Sequence, residues 1–357
     1  MIMNTHWNLF KITTFGESHW NALWVVIDWL PANFKIDLEN ISYELCRRKP
    51  GQSNITTQRK ESDEDFEILS WIFDWYSTGH PITIIVKNSN QKSKDYDNLK
   101  DLYRPNHADL TYSLKYWVRD HRWWWRSSWR ETLSRVIAWA IAKQYLREKF
   151  STEIFAFTSQ VWIYKVQKVD YDFIEKNILR TADESISKSM IEYVEKIASE
   201  WNSIWWIIEC HIKNPLAWLW EPVFWKIKSI LAWSMLSIWW VLWFEYWAWF
   251  DTVNHTWNTY NEWFLNTNWK VHSKNNNYAW VLWWISTWED IVFRVAVKPT
   301  ASIYSKQKTV NTDGNEVDFQ ISWRHDPCIL PRVVPVIESM AAIDLLDLVL
   351  MNNSRKI

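Results

Sequence analysis

The chain has 357 residues, with 40 Lys+Arg against 41 Asp+Glu, so no charge excess points to nucleic acid or to an acidic tail. No run of apolar residues is long enough to form a transmembrane helix, and the opening MIMNTHWNLFKITTF lacks a signal-peptide pattern. Cys46, Cys210 and Cys328 are far apart and in neither disulfide nor metal spacing, so the expectation is a reduced, cytoplasmic protein with no metal, membrane or nucleic-acid partner.

In chain order, the apolar run 82–86 predicts a strand, and the polar segment 87–101 predicts an exposed loop. Ser128 and Glu131 form an S-x-x-E capping box ahead of a helix predicted over about 130–149. Leu133, Ile137, Ile141 and Tyr145 make the apolar stripe of that helix. A strand at 207–212 and a helix over 231–236 with its flanks come next. The polar segment 266–277 reads as a second loop, 291–297 as a strand, and 336–350, after Pro335, as a helix. Strands and helices mix without βαβ alternation, which favours an α+β fold over a doubly wound sheet.

The composition is anomalous at one point. The chain holds 4 Gly and 33 Trp, where roughly 25 Gly would be ordinary for this length. Trp123, Trp124 and Trp125 are consecutive between Arg122 and Arg126, and three neighbouring indoles cannot all face one core. A Trp-rich binding surface for sugar or membrane does not need tandem Trp at turn positions. Read with glycine at the Trp positions, 122–130 becomes R-GGG-RSS-G-R, a flexible loop whose backbone N–H groups lead into a capped helix and suit an anion. The segment 279–288 becomes a second Gly-rich turn. The pattern is that of a chain whose UGA codons insert glycine but are translated here as tryptophan.

With that reading the sequence resembles the chorismate synthase family from end to end. The blocks that carry the resemblance are TFGESHW (14–20), RRKPGQ (47–52), TTQRKE (56–61), ILSWIFDW (68–75), RPNHADLTY (104–112), KYWVRDHRWWWRSSWRET (115–132), AWLWEPVF (217–224), VKPTASI (297–303) and WRHDPC (323–328), in the family's order. Only connecting segments, notably 151–200, are weak. The resemblance implies one α+β domain over 1–357, a β-α-β sandwich of antiparallel sheets enclosing helices, assembled as a homotetramer. It also implies a lyase of the shikimate pathway that makes chorismate from 5-enolpyruvylshikimate 3-phosphate by 1,4-elimination of phosphate. Reduced FMN is required without net oxidation, and NADPH is a possible reductant.

The same resemblance assigns residues. His19 and His107 match the family's active-site histidines, and Asp326 its active-site Asp. Each has a bland alternative, as a structural His or an Asp in a turn before Pro. The expected FMN contacts are Arg126, Ser127, Ser128, Trp239, Trp240, Trp283, Lys298, Pro299, Thr300, Ala301, Ser302 and Arg324. Ser18, Arg48, Arg119 and Arg130 are the expected substrate contacts, and Arg48 and Asn54 are candidates for NADP. The substrate carries two carboxylates and a phosphate and FMN another phosphate, so several guanidinium groups are physically needed. Two positions depart from the family. Asn54 stands where a basic residue is usual, with Arg59 a candidate replacement, and Asn106 stands where Gly is usual, a mild change because Asn tolerates positive φ. The competing readings are a flavin oxidoreductase on the same scaffold and a non-enzymatic Trp-rich binding module.

Overall fold

The computed structural model describes residues 4–355 except 18–19, 54, 57–60, 71, 89–98, 122–125, 222, 247–249, 262, 268–269, 275–280, 283–284, 302, 304 and 321–327. Two five-stranded antiparallel sheets dominate it. One has the order Thr5–His6, Ile12–Gly16, Ala22–Ile27, Ile82–Lys87, Phe66–Ile68, and the other Tyr164–Lys165, Glu153–Val161, Trp206–Lys213, Ile291–Val297, Val241–Tyr246. The helices α1 (Leu38–Arg48), α2 (Asp109–Tyr116), α3 (Thr132–Phe150), α4 (Glu184–Ser199), α5 (Ile227–Leu236), α6 (Trp257–Tyr260) and α7 (Leu330–Ser354) join them. Helix α3 packs on Ala22–Ile27, α7 packs on Glu153–Val161, and α3, α1 and α7 pack on one another, so a helical layer lies between the sheets. The fold is the expected α+β arrangement.

Alternation explains the strands. Trp206, Ile208, Cys210 and Ile212 are buried while their neighbours are half-exposed, and Ile82, Ile84 and Val86 do the same in the other sheet. The expected strands at 82–86, 207–212 and 291–297 are observed as Ile82–Lys87, Trp206–Lys213 and Ile291–Val297. Helix α3 buries far more than its stripe: Val136, Ala138, Ala140 and Ala142 are inaccessible along with Leu133, Ile137 and Ile141. Packed on both sides, the helix is exposed only in its last turn, at Arg147, Glu148 and Lys149.

Three sequence expectations are corrected. Ser128 accepts from the backbone N–H of Arg130 at 3.3 Å and caps a 3-10 turn, Trp129–Glu131, rather than α3 itself. The Glu131 carboxylate instead accepts from Thr14 Oγ1 at 2.9 Å and Arg135 Nε at 3.0 Å, so the capping box is not closed. Helix α7 begins at Leu330 and runs through Pro335 instead of starting after it. Pro335 lacks the N–H that would meet the Pro331 carbonyl, and the Arg180 guanidinium donates to that carbonyl instead, so the helix continues. The polar segment 266–277 is partly a hairpin, in which Phe264–Thr267 pairs with Lys270–Ser273. The weak stretch 151–200 holds both the strand Glu153–Val161 and α4, which Asp183 caps by accepting from Ser185 N at 3.1 Å.

Candidate active site

The loop between Leu102–Tyr103 and α2 carries the sequence R-P-N-H-A-D. Arg104 folds it back on itself: its backbone N–H and Nε donate to Asp109 Oδ2 at 3.1 and 2.7 Å, and Nη2 donates to Oδ1 at 2.9 Å. Asn106 takes the left-handed backbone expected of it, with φ 56°. This presents His107 to a cleft of about 220 Å³, lined by Arg104, Asp109, Arg119, Ser127, Trp239 and Lys298 among others. Five residues assigned by resemblance therefore meet there: His107, Arg119, Ser127, Trp239 and Lys298.

His107 Nδ1 lies 3.1 Å from the Pro105 carbonyl oxygen. A carbonyl only accepts, so Nδ1 carries the proton of the neutral ring and Nε2 is left as a proton acceptor. Burial, then Arg104 and Lys298, lower its pKa to about 4. Asp109 would be raised by burial, but Arg104 and Arg119 more than offset this and hold it below its ordinary value. Burial also lowers Lys298. Arg119 is more structural than expected. It donates to the carbonyls of Leu102 at 2.9 Å and Leu99 at 2.7 Å and pairs with Asp109 at 3.3 Å.

A second cationic group is built around Asp63. Arg48, fully buried, donates to Asp63 Oδ2 at 2.9 Å, to Thr132 Oγ1 at 3.2 Å and to the Trp129 carbonyl at 3.0 Å. Arg130 donates to the other oxygen, Asp63 Oδ1, at 2.7 Å and to Asn88 Oδ1 at 2.5 Å. Burial alone would raise Asp63, yet Arg130 and Arg48 hold it below its ordinary value. Asp63→Asn leaves two buried guanidinium groups without their shared counter-charge and is expected to destabilise the protein by about 3–5 kcal/mol in urea denaturation. A loss under about 1 kcal/mol would show that the cluster is not held by this carboxylate.

Arg126 reaches across to the end of Ile12–Gly16, donating to the Thr14 carbonyl at 2.8 Å and the Gly16 carbonyl at 3.3 Å. Ser128 serves the 3-10 turn described above, and Trp240 is buried behind Trp239. Pro299, Thr300 and Ala301 directly follow Ile291–Val297, with the Thr300 carbonyl accepting from Ser203 Oγ at 2.8 Å and the Ala301 carbonyl from Gln307 Nε2 at 3.2 Å. Ser18, His19, Asn54, Arg59, Trp283, Ser302, Arg324 and Asp326 lie outside the described residues. Sequence reasoning missed Arg104, Asp109 and Asp63; the first two were visible only as an ion pair five residues apart in a loop. Among the described residues no group of three or more His, Cys, Asp or Glu is arranged to hold a metal, and no helix is long and apolar enough to cross a membrane.

The depressed histidines set a pH dependence. His107 falls from an ordinary 6.5 to about 4, and His6, on the strand Thr5–His6 with Nε2 3.4 Å from Asp344 Oδ1 of α7, falls to about 3 by burial and by Arg135. The unfolded chain therefore binds more protons below 6.5, so this stability is complete above that pH and is lost as pH falls through the folded values. Melting temperature is expected to decline from pH 6.5 to pH 4, less steeply in a His6→Asn, His107→Asn variant; an unchanged slope would contradict the assignment.

Comparison with known proteins bears on the whole chain. The chorismate synthase family model matches residues 10–350. A chorismate synthase of Christiangramia forsetii is 45% identical over 99% of this chain and 99% of its own length. One of Phocaeicola vulgatus is 44% identical over 100% of both. A crystal structure of a chorismate synthase shares the fold with a TM-score of 0.76 at 22% identity, covering 97% of this chain and 93% of that one. The chain belongs to the chorismate synthase family.

Proposed function

We propose that the protein converts 5-enolpyruvylshikimate 3-phosphate to chorismate and phosphate, as an enzyme of the shikimate pathway. The C–O bond to phosphate and one ring C–H bond break and a new C=C bond forms, so the overall change is redox-neutral. The observation that carries the reading is the His107 cleft in a chain of this family: a ring kept neutral by burial, with Lys298, Arg104 and Ser127 lining the same cleft. That donor set suits a planar anion. Ser127, Lys298 and the backbone at Trp239 would hold FMN, with Arg126, Ser128, Trp240, Trp283, the segment 299–302 and Arg324 completing the set. When bound, reduced FMN supplies the reduced flavin on which the elimination depends.

His107 Nε2 is held as a proton acceptor and so manages a proton at the flavin end of the site. His19 acts as the acid toward the departing phosphate, and Asp326 assists removal of the ring proton. Ser18, Arg48, Arg119 and Arg130 serve the substrate's carboxylates and phosphate, directly or by fixing the groups that do. Arg48 and Asn54 are the candidates for NADPH, should the protein reduce its own flavin. The working form is a single-domain cytoplasmic homotetramer, and its UGA codons insert glycine. A flavin oxidoreductase would consume one reductant per product. With reductant limiting under anaerobic conditions, product is expected to exceed reducing equivalents many times over; a one-to-one ratio would assign the oxidoreductase instead.

A further inference from the structure

Fourteen non-glycine residues among those described have a left-handed backbone, and eight are tryptophan, including Trp220 at φ 77° and Trp7 at φ 71°. Tryptophan fills 33 of 357 positions, so chance would place about one there, and a bulky side chain makes this region costly. All 4 glycines of the chain share the same region. At these eight positions the backbone treats tryptophan as it treats glycine. A second observation is independent of the first. The indole N–H groups of Trp129, Trp139, Trp220, Trp239 and Trp240 are buried without a hydrogen-bond partner, whereas a buried indole ordinarily has one.

Three of these five indoles form a row. The Arg48 guanidinium carbon is 5.9 Å from the Trp129 ring centre, and Trp129 meets Trp240 edge-on at 6.3 Å. Trp240 is 4.6 Å from Trp239, and Lys298 Nζ is 5.1 Å from Trp239, which walls the His107 cleft. The row fills the space between the Arg48–Arg130 cluster and the His107–Lys298 cleft. The cleft's 220 Å³ falls short of the roughly 300–1,000 Å³ of ordinary ligand pockets.

We infer that glycine occupies positions 129, 239 and 240 in the working protein, and that the His107 cleft then runs through to the Arg48–Arg130 cluster as one cavity with a cationic group at each end. Such a cavity takes a flat ligand with anionic groups at both ends. The choice of ligand rests on the proposed reaction; the glycine assignment at these three positions rests on their unpartnered indole N–H groups and their packing, while the left-handed backbone belongs to other tryptophans. Removing three side chains leaves Arg48 and Lys298 with open space where each now faces an indole.

Two measurements test this. Peptide mass spectrometry of the protein purified from its own source should give peptides spanning 129, 239 and 240 lighter by one indolylmethyl group per site. Tryptophan at these sites would overturn the inference. Flavin fluorescence titration then compares the literal chain with a Trp129→Gly, Trp239→Gly, Trp240→Gly variant, both checked for folding by circular dichroism. The variant is expected to bind FMN at least about tenfold more tightly, and equal affinity in two folded chains would overturn the joined cavity. If the literal chain does not fold, FMN binding by the native protein with glycine at these sites supports the cavity, and failure to bind overturns it. Glycine in the peptides and FMN binding without turnover would count against the proposed reaction and leave this inference standing.

Discussion

A chain with glycine at all 33 tryptophan positions is expected to be far more stable than the literal chain, and to be the active one. A left-handed backbone costs a side-chain-bearing residue about 1–2 kcal/mol, and eight tryptophans adopt it. Each buried, unpartnered indole N–H adds about 1–3 kcal/mol. These costs together reach the roughly 5–15 kcal/mol that holds a domain folded. Trp139 shows how the strain is distributed. It is fully buried in α3, with Lys143 Nζ 4.6 Å and the Arg47 guanidinium carbon 5.8 Å from its ring, amid the ion pairs of Arg47 with Glu44 and Glu338 at 2.6 Å each. Glycine within a helix costs about 1 kcal/mol relative to alanine, no more than the roughly 1–3 kcal/mol of the buried, unpartnered indole N–H it removes. Thermal melts of the two chains read the difference directly. A literal chain as stable as the glycine chain would refute the recoding.

His107→Ala is expected to lower kcat by about 10²–10⁴-fold, the ordinary contribution of a general acid–base group. Its effect on stability should stay near 1 kcal/mol, the ordinary worth of a hydrogen bond such as the one to the Pro105 carbonyl. A His held only for structure would show the reverse, a melting shift with near-normal turnover. The pH profile separates the roles further. With the folded pKa near 4, the neutral ring persists through pH 5–8, so kcat should not follow an ordinary histidine titration in that range. His19→Ala and Asp326→Ala should lose turnover on the same scale.

Short apolar, β-branched runs and a clear apolar stripe made the strands at 82–86, 207–212 and 291–297 and the helix α3 legible from local sequence. Helix α7 was misread at its start because the group that rescues the Pro331 carbonyl, Arg180, is 151 residues away in sequence. The hairpin at 264–273 was legible but missed: Asn268–Trp269, read as Asn-Gly, is a strong two-residue turn signal inside a segment whose polarity reads as loop. The strand Glu153–Val161 lacks that excuse: its buried Ile154, Ala156 and Phe157 face helix and sheet, but its polar neighbours Thr158 and Ser159 are buried too and break the alternation. In the site, His107, Lys298 and Ser127 were legible through blocks that resemble the family. Asp63 was not, because the ion pairs that define it join residues 15 and 67 positions apart and leave no local pattern.

The most direct measurement is anaerobic incubation of the glycine chain with 5-enolpyruvylshikimate 3-phosphate and reduced FMN, counting chorismate and phosphate together. The reading predicts that both appear in equal amounts, over many turnovers, and only when the flavin is reduced. A folded, flavin-binding protein that releases no phosphate, or releases it without chorismate, would contradict it.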